Sequence, residues 1–139
     1  MTSSPDSVIK GRIEPRRNGY CLVLIPRDTG AVRLLRGRFT SAGVGVSSDL
    51  ATEDDVRIDN VSQLRISLRS DRPGRKRLSA VRDGDSWMLD WRCTTEEWRD
   101  CADLLEPFLD GHAGHQYLSD ELFDDVLVVV SFHEQDGSF

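Results

Sequence analysis

The chain has 139 residues, of which 38% are hydrophobic and 30% charged, and its formal net charge is −6. This length is typical of one domain with its own core, so we expect a single domain over 1–139 with polar, flexible ends at about 1–6 and 135–139. No apolar run reaches the ~18 residues of a membrane span, and no signal-peptide pattern opens the chain. The sequence therefore predicts a cytoplasmic protein without membrane contact. The three cysteines form no paired motif, which predicts reduced, partly buried thiols.

The charge is divided unevenly along the chain. Residues 1–82 hold 16 of the 18 basic side chains and 9 acidic ones, whereas residues 83–139 hold 2 basic and 15 acidic side chains. We expect the basic residues to decorate the strands, and the acidic ones to coat a helix and the approaches to the last strand. If the two sets lie on opposite layers, the molecule has one basic and one acidic face. If they interleave, the division reflects internal pairing.

The first part of the chain predicts an antiparallel meander of three strands, near 8–14, 20–25 and 31–36. Asn18-Gly19 and Asp28–Gly30 supply residues that tolerate the positive φ of tight hairpins. The strand at 20–25 is apolar on both faces, which favours an interior position. Residues 37–62 are irregular, and a short helix or strand is expected within them.

The second part predicts another meander, with strands near 64–69, 78–82 and 87–91 and a hairpin turn at Asp83-Gly84. Thr94 and Glu97 have the spacing of a capping box, and the apolar residues that follow recur at helical intervals. This pattern predicts a helix over about 95–110, with Pro107 disturbing its last turn. The β-branched run at 125–131 predicts a second interior strand.

Together these elements predict an α+β fold. We expect about seven or eight mostly antiparallel strands in two meanders, with one main helix, at about 95–110, packed on one face of the sheet. Trp87, Trp91 and Trp98 should join the sheet to the helix in the core. Because both interior strands are apolar on two faces, sheet curvature, a loop or a second subunit must cover the other face, so a homo-oligomer is one option.

Acidic residues of the predicted helix are the leading functional candidates: Glu96, Glu97, Asp100 and Asp103. Exposed carboxylates attract a basic partner at long range. Together with the acidic stretch 120–125, they suggest a non-enzymatic binding protein that recognises another protein through a charged surface, in the manner of immunity or regulatory proteins. No catalytic motif is recognisable, and neither a metal nor a cofactor is expected. The acidic groups at 53–55 and 120–125 lack the spacing of a calcium loop and are expected to lie in solvent.

Two alternative functions use other residues. His112 and His115 lie in a glycine-containing loop and could serve a small-ligand or metal-dependent enzyme, although a structural loop is the simpler interpretation. The Arg69–Arg77 hairpin could contact phosphate or nucleic acid through its basic tip, in particular Arg72, Arg75 and Arg77. Nucleic acid is the less favoured partner because the predicted helix is acidic.

Overall fold

The computed structural model describes residues 8–69, 76–120 and 123–133. Within them the fold is α+β, with nine strands in two mixed sheets and two helices longer than one turn. The strands are β1 (Ile9–Arg16), β2 (Gly19–Pro26), β3 (Ser48–Asp49), β4 (Val56–Asp59), β5 (Val61–Leu68), β6 (Leu78–Asp83), β7 (Ser86–Cys93), β8 (Gly114–Tyr117) and β9 (Val126–Phe132). The helices are α1 (Thr29–Gly43), α2 (Thr95–Leu104) and the single turn α3 (Glu106–Leu109). None of the described helices has the length and apolar character needed to cross a membrane.

The first sheet has the strand order β4-β1-β2-β9-β8. β1 and β2 form the predicted antiparallel hairpin, in which Arg16 pairs with Gly19. β2 pairs in parallel with β9, and β8 pairs antiparallel to the outer side of β9. The predicted interior positions of the strands at 20–25 and 125–131 are therefore confirmed, and every residue of β9 is buried.

The second sheet has the order β3-β5-β7-β6, so the predicted second meander is wrong. β6 and β7 form the expected hairpin, in which Gly84 has a φ of 62°. However, β5 pairs in parallel with β7, on the side away from β6. The interior position suits β7 because Leu89, Trp91 and Cys93 are all buried, whereas the edge strand β6 keeps Val81 exposed.

The predicted strand at 31–36 is also wrong, since these residues lie in α1. Asp28 does not form a hairpin turn but caps this helix, and its side chain accepts a hydrogen bond from the Ala31 amide at 2.9 Å. The buried residues recur at helical spacing: Ala31, Val32, Leu35, Phe39 and Ala42. The expectation of a short helix or strand within 37–62 is confirmed by the end of α1, by β3, by a 3-10 turn at Leu50–Thr52 and by β4.

The capping box at the start of α2 is confirmed. The Thr94 hydroxyl accepts from the Glu97 amide at 3.2 Å, and the Glu97 carboxylate accepts from the Thr94 amide at 2.9 Å. The helix ends earlier than predicted, at Leu104, and α3 follows as a separate turn. Pro107 explains the break, because it cannot donate to the preceding turn but is well tolerated in the first turn of a new helix.

One hydrophobic core joins both sheets and both helices. At its centre Phe39 of α1, Trp91 of β7 and Trp98 of α2 are fully buried and lie with ring centroids 4.9–5.4 Å apart. Trp87 is half-buried, and its ring meets that of Tyr20 at 4.8 Å, which connects β7 to β2 of the first sheet. The tryptophans thus link sheet and helix as predicted, and they also link the two sheets.

Candidate functional site

The outward face of α2 carries three carboxylates in one line. Trp98, Cys101 and Ala102 of this helix are buried. Glu96, Asp100 and Asp103 follow one another at intervals of four and three residues, so they lie on the opposite side, where all three are exposed. Among the described residues, none forms an ion pair within 4 Å with these carboxylates. We refer to Glu96, Asp100 and Asp103 as the acidic face of α2.

Glu97, the fourth predicted residue of the helix, does not belong to this face. One of its oxygens completes the capping box, and the other lies 3.7 Å from the Arg77 guanidinium. Arg77 in turn lies 3.9 Å from the carboxylate of Asp124. Arg77 therefore belongs to a partly buried network. Arg72, Arg75 and the predicted Pro73-Gly74 turn lie outside the described residues.

The carboxylates near 120–125 are not simply a solvated surface, which corrects the sequence-based expectation. The Asp124 side chain is fully buried and accepts hydrogen bonds from the amides of Arg77 at 2.6 Å, Leu78 at 3.0 Å and Asp120 at 2.8 Å. Asp125 pairs with Lys76 at 2.8 Å and accepts from the Ala80 amide at 2.9 Å. Burial acts to raise the pKa of Asp125, but these two donors outweigh it and hold the pKa below its usual value. Both residues tie the segment before β9 to β6.

The acidic group at 53–55 is also divided between two roles. Glu53 is half-buried, and its carboxylate accepts a bifurcated hydrogen bond from the Arg38 Nε–H, 2.9 Å from both oxygens, and a second bond from Arg38 Nη2 at 2.5 Å. Asp54 and Asp55 are exposed, as the sequence predicted. Of these three carboxylates, therefore, only two lie in solvent.

The two histidines lie in different surroundings. His112 is exposed in the loop after α3. His115 is half-buried in β8, where its ring meets that of Tyr117 edge-on at 5.3 Å. Within 8–69, 76–120 and 123–133, no group of three or more His, Cys, Asp or Glu side chains is arranged to hold a metal ion.

The three cysteines are free and buried, as the sequence predicted. Burial raises the pKa of Cys21 to about 11 and that of Cys101 to about 12, and it raises the pKa of Cys93 even further. At neutral pH all three are therefore protonated thiols, a form that is a poor nucleophile.

The expected assignment of basic residues to strands is wrong for α1, which carries Arg33, Arg36 and Arg38. Arg36 pairs with Glu106 of α3, and Arg77 pairs with Glu97 of α2. Part of the charge division along the chain is therefore neutralised by pairing between the two parts. The acidic face of α2 takes no part in this pairing.

The chain matches no protein-family model, no curated protein and no solved structure. The arrangement of its side chains is therefore the basis for proposing a function.

Proposed function

We propose that the protein is a non-enzymatic binding protein that recognises a basic protein partner through the acidic face of α2. The observation that supports this proposal is the contrast between neighbouring carboxylates. Glu97 and Glu106 are ion-paired within the chain, whereas Glu96, Asp100 and Asp103 are exposed and form no such pair with a described residue.

Two features of this arrangement are unfavourable for the helix, whereas Glu96, in the first turn, interacts favourably with the helix dipole. Like charges four residues apart, such as Glu96 and Asp100, destabilise a helix by about 0.2–0.5 kcal/mol. Asp103 lies in the last turn, where a negative charge opposes the helix dipole by about 0.3–1 kcal/mol. Arg99 lies on the flank of the line, but it forms no ion pair within 4 Å with these residues. A surface that lowers local stability in this way is typical of binding sites.

The same surface can supply both steering and contact. Exposed charges act over a Debye length of about 8 Å at physiological ionic strength, which accelerates encounter with a basic partner. Leu104 follows Asp103, lies one turn beyond Asp100 and is 37% exposed. It provides an apolar contact beside the carboxylates, and a partner of matching chemistry has lysine or arginine side chains around a small apolar patch.

The test compares two variants that lose the same charge. Glu96→Gln/Asp100→Asn/Asp103→Asn neutralises the acidic face, whereas the control neutralises three exposed carboxylates elsewhere: Asp54→Asn/Asp83→Asn/Asp85→Asn. Binding of a fluorescein-labelled arginine-rich peptide is measured by fluorescence anisotropy at physiological ionic strength. We expect the affinity of the α2 variant to fall about tenfold or more, equivalent to about 1.4 kcal/mol, while the control stays within about twofold.

Equal loss of affinity in the two variants would contradict the proposal, because net charge alone would then explain the binding. Thermal unfolding of both variants should accompany the titration. Removal of the repulsion along α2 stabilises the helix, and loss of the Glu96 charge from its first turn destabilises it, so the free energy of unfolding of the α2 variant should stay within about 1 kcal/mol of the wild type.

A further inference from the structure

A cavity lies on the face of the first sheet that points away from the main core. Side chains alternate along β2 and β9, so Leu22, Leu24, Val128 and Val130 enter the main core, whereas their neighbours form a separate buried apolar cluster: Cys21, Val23, Leu127 and Val129. Three of these four residues, Cys21, Leu127 and Val129, line the cavity, which lies beside the β1-β2 hairpin.

The shape of the cavity follows from side-chain size across the sheet. β2 contributes small residues here, Gly19 and Cys21, and a Cβ placed on Gly19 would meet nothing within 4 Å. Glu14 and Arg16 of β1 are their register partners on one side, and Tyr117 of β8 lies two strands away on the other. Long side chains thus flank short ones, and they enclose about 500 Å³. This volume is in the range of sites for small organic molecules.

The floor of the cavity is apolar. Cys21, Leu127 and Val129 are each no more than 6% exposed, and burial raises the pKa of the Cys21 thiol to about 11. Tyr117 is 45% exposed and adds an aromatic ring to the wall. An adjoining cavity shares Arg16, Tyr117 and Leu127 with the first, so an elongated molecule has room to extend.

The hairpin end of the cavity is cationic, because Arg16 and Arg17 both line it. Glu14, Asp124 and Asp125 also line it, but each of these carboxylates is engaged within the protein. Glu14 pairs with Arg12 at 2.6 Å, Asp125 pairs with Lys76 at 2.8 Å, and the buried Asp124 accepts from three backbone amides. Arg17 forms no ion pair within 4 Å with a described residue, so its guanidinium, next to that of Arg16, favours an anionic group at this end.

We propose that this cavity binds a small amphiphilic organic anion. Its flat apolar body would lie on Cys21, Leu127 and Val129 beside the ring of Tyr117, and its carboxylate, sulfonate or phosphate group would face Arg16 and Arg17. This site shares no residue with the acidic face of α2, so the two proposals can fail independently.

Two fluorescent probes with the same ring system separate the apolar and ionic contributions. 8-Anilinonaphthalene-1-sulfonate carries the anionic group, and N-phenyl-1-naphthylamine lacks it. We expect the wild type to bind the sulfonate at one saturable site, more tightly than the neutral probe. Arg16→Gln/Arg17→Gln should weaken binding of the sulfonate about tenfold and leave the neutral probe within about twofold, because only the sulfonate meets the arginines.

Tyr117→Ala should weaken binding of both probes. The control, Arg65→Gln/Val81→Ala, removes an exposed arginine and an exposed apolar residue from the second sheet, and it should change neither affinity. Absence of saturable binding to the wild type overturns the proposal, as do variants that all bind like the wild type. If Tyr117→Ala does not fold, amide chemical-shift changes in the wild type decide the matter: they should centre on Cys21, Tyr117 and Leu127, and a centre elsewhere refutes the site.

Discussion

Replacing Asp124 tests how the segment before β9 is attached to the second sheet. Asp124→Ala removes the acceptor of three amides, those of Arg77, Leu78 and Asp120, at 2.6–3.0 Å. The carboxylate is fully buried, and a buried amide left without an acceptor costs on the order of 1–3 kcal/mol. Relaxation at the site offsets part of the loss, and removal of one partner from a buried charged network typically costs about 3–5 kcal/mol. We expect the free energy of unfolding to fall by that amount.

Asp124→Asn is the more conservative change. Its remaining oxygen can still accept from the Arg77 and Leu78 amides, but its NH2 group would then face the Asp120 amide, so that two donors oppose one another. We expect a loss of about 1–3 kcal/mol. Asp83→Asn is the matched control at an exposed position and should change stability by no more than about 0.5 kcal/mol.

Equilibrium unfolding in urea, followed by tryptophan fluorescence, measures these differences at constant m-value. Hydrogen exchange adds a local readout, since the amides of Arg77, Leu78 and Asp120 should exchange faster in both Asp124 variants than in the wild type. If Asp124→Ala proved no less stable than Asp83→Asn, the buried carboxylate would not hold the two segments together.

Three further sets of substitutions test packing, capping and the thiols. Gly11→Ala should lower the free energy of unfolding by about 1–3 kcal/mol, since its Cβ would lie 3.0 Å from the Val23 carbonyl oxygen. In α1, a Cβ at Gly37 would meet nothing within 4 Å, so Gly37→Ala should raise the free energy of unfolding by about 0.5–1 kcal/mol. If urea unfolding showed that Gly11→Ala and Gly37→Ala change this free energy in the same direction, the tight packing at Gly11 would be contradicted. Thr94→Ala should lower the free energy of unfolding by about 1 kcal/mol, and Thr94→Ser should keep most of the wild-type value because serine also caps. An unchanged urea midpoint for Thr94→Ala would refute a stabilising cap. Above pH 9.0, in reductant, stability should fall because thiols ionise in the unfolded chain while burial holds the pKa of Cys101 at about 12 in the folded one. Cys101→Ala should therefore lose less stability than the wild type between about pH 9 and 11, and the difference should grow by up to about 1.4 kcal/mol per pH unit. Parallel plots of the free energy of unfolding against pH for the two proteins would refute the raised pKa.

Local sequence signals predicted those elements whose specifying residues lie close together in the chain. The Thr94–Glu97 box begins α2, Asp83-Gly84 closes the β6-β7 hairpin, and the run at 126–130 forms an interior strand. The sequence predicts a strand at 31–36 instead of the first helix, because the apolar pattern of six residues is compatible with either structure. The residues that decide for a helix, Phe39 and Ala42, lie beyond Gly37, which has low helix propensity.

The candidate sites depend on contacts that spacing does not encode. Glu96, Asp100 and Asp103 are exposed, whereas Glu97 is held by the capping box that the spacing predicts and by Arg77, whose position the spacing does not encode. Asp124 was expected in solvent, whereas its amide partner Leu78 lies 46 residues away. The cavity on the first sheet requires β2 to pair in parallel with β9, and no local pattern indicates that pairing.

The most direct test of binding at α2 is an amide chemical-shift titration of the whole chain with the arginine-rich peptide. The largest saturable shifts should fall on residues 95–104, centred on Asp100, and they should disappear in Glu96→Gln/Asp100→Asn/Asp103→Asn but persist in Asp54→Asn/Asp83→Asn/Asp85→Asn. Shifts spread over all exposed carboxylates, or centred away from α2, would contradict recognition through its acidic face.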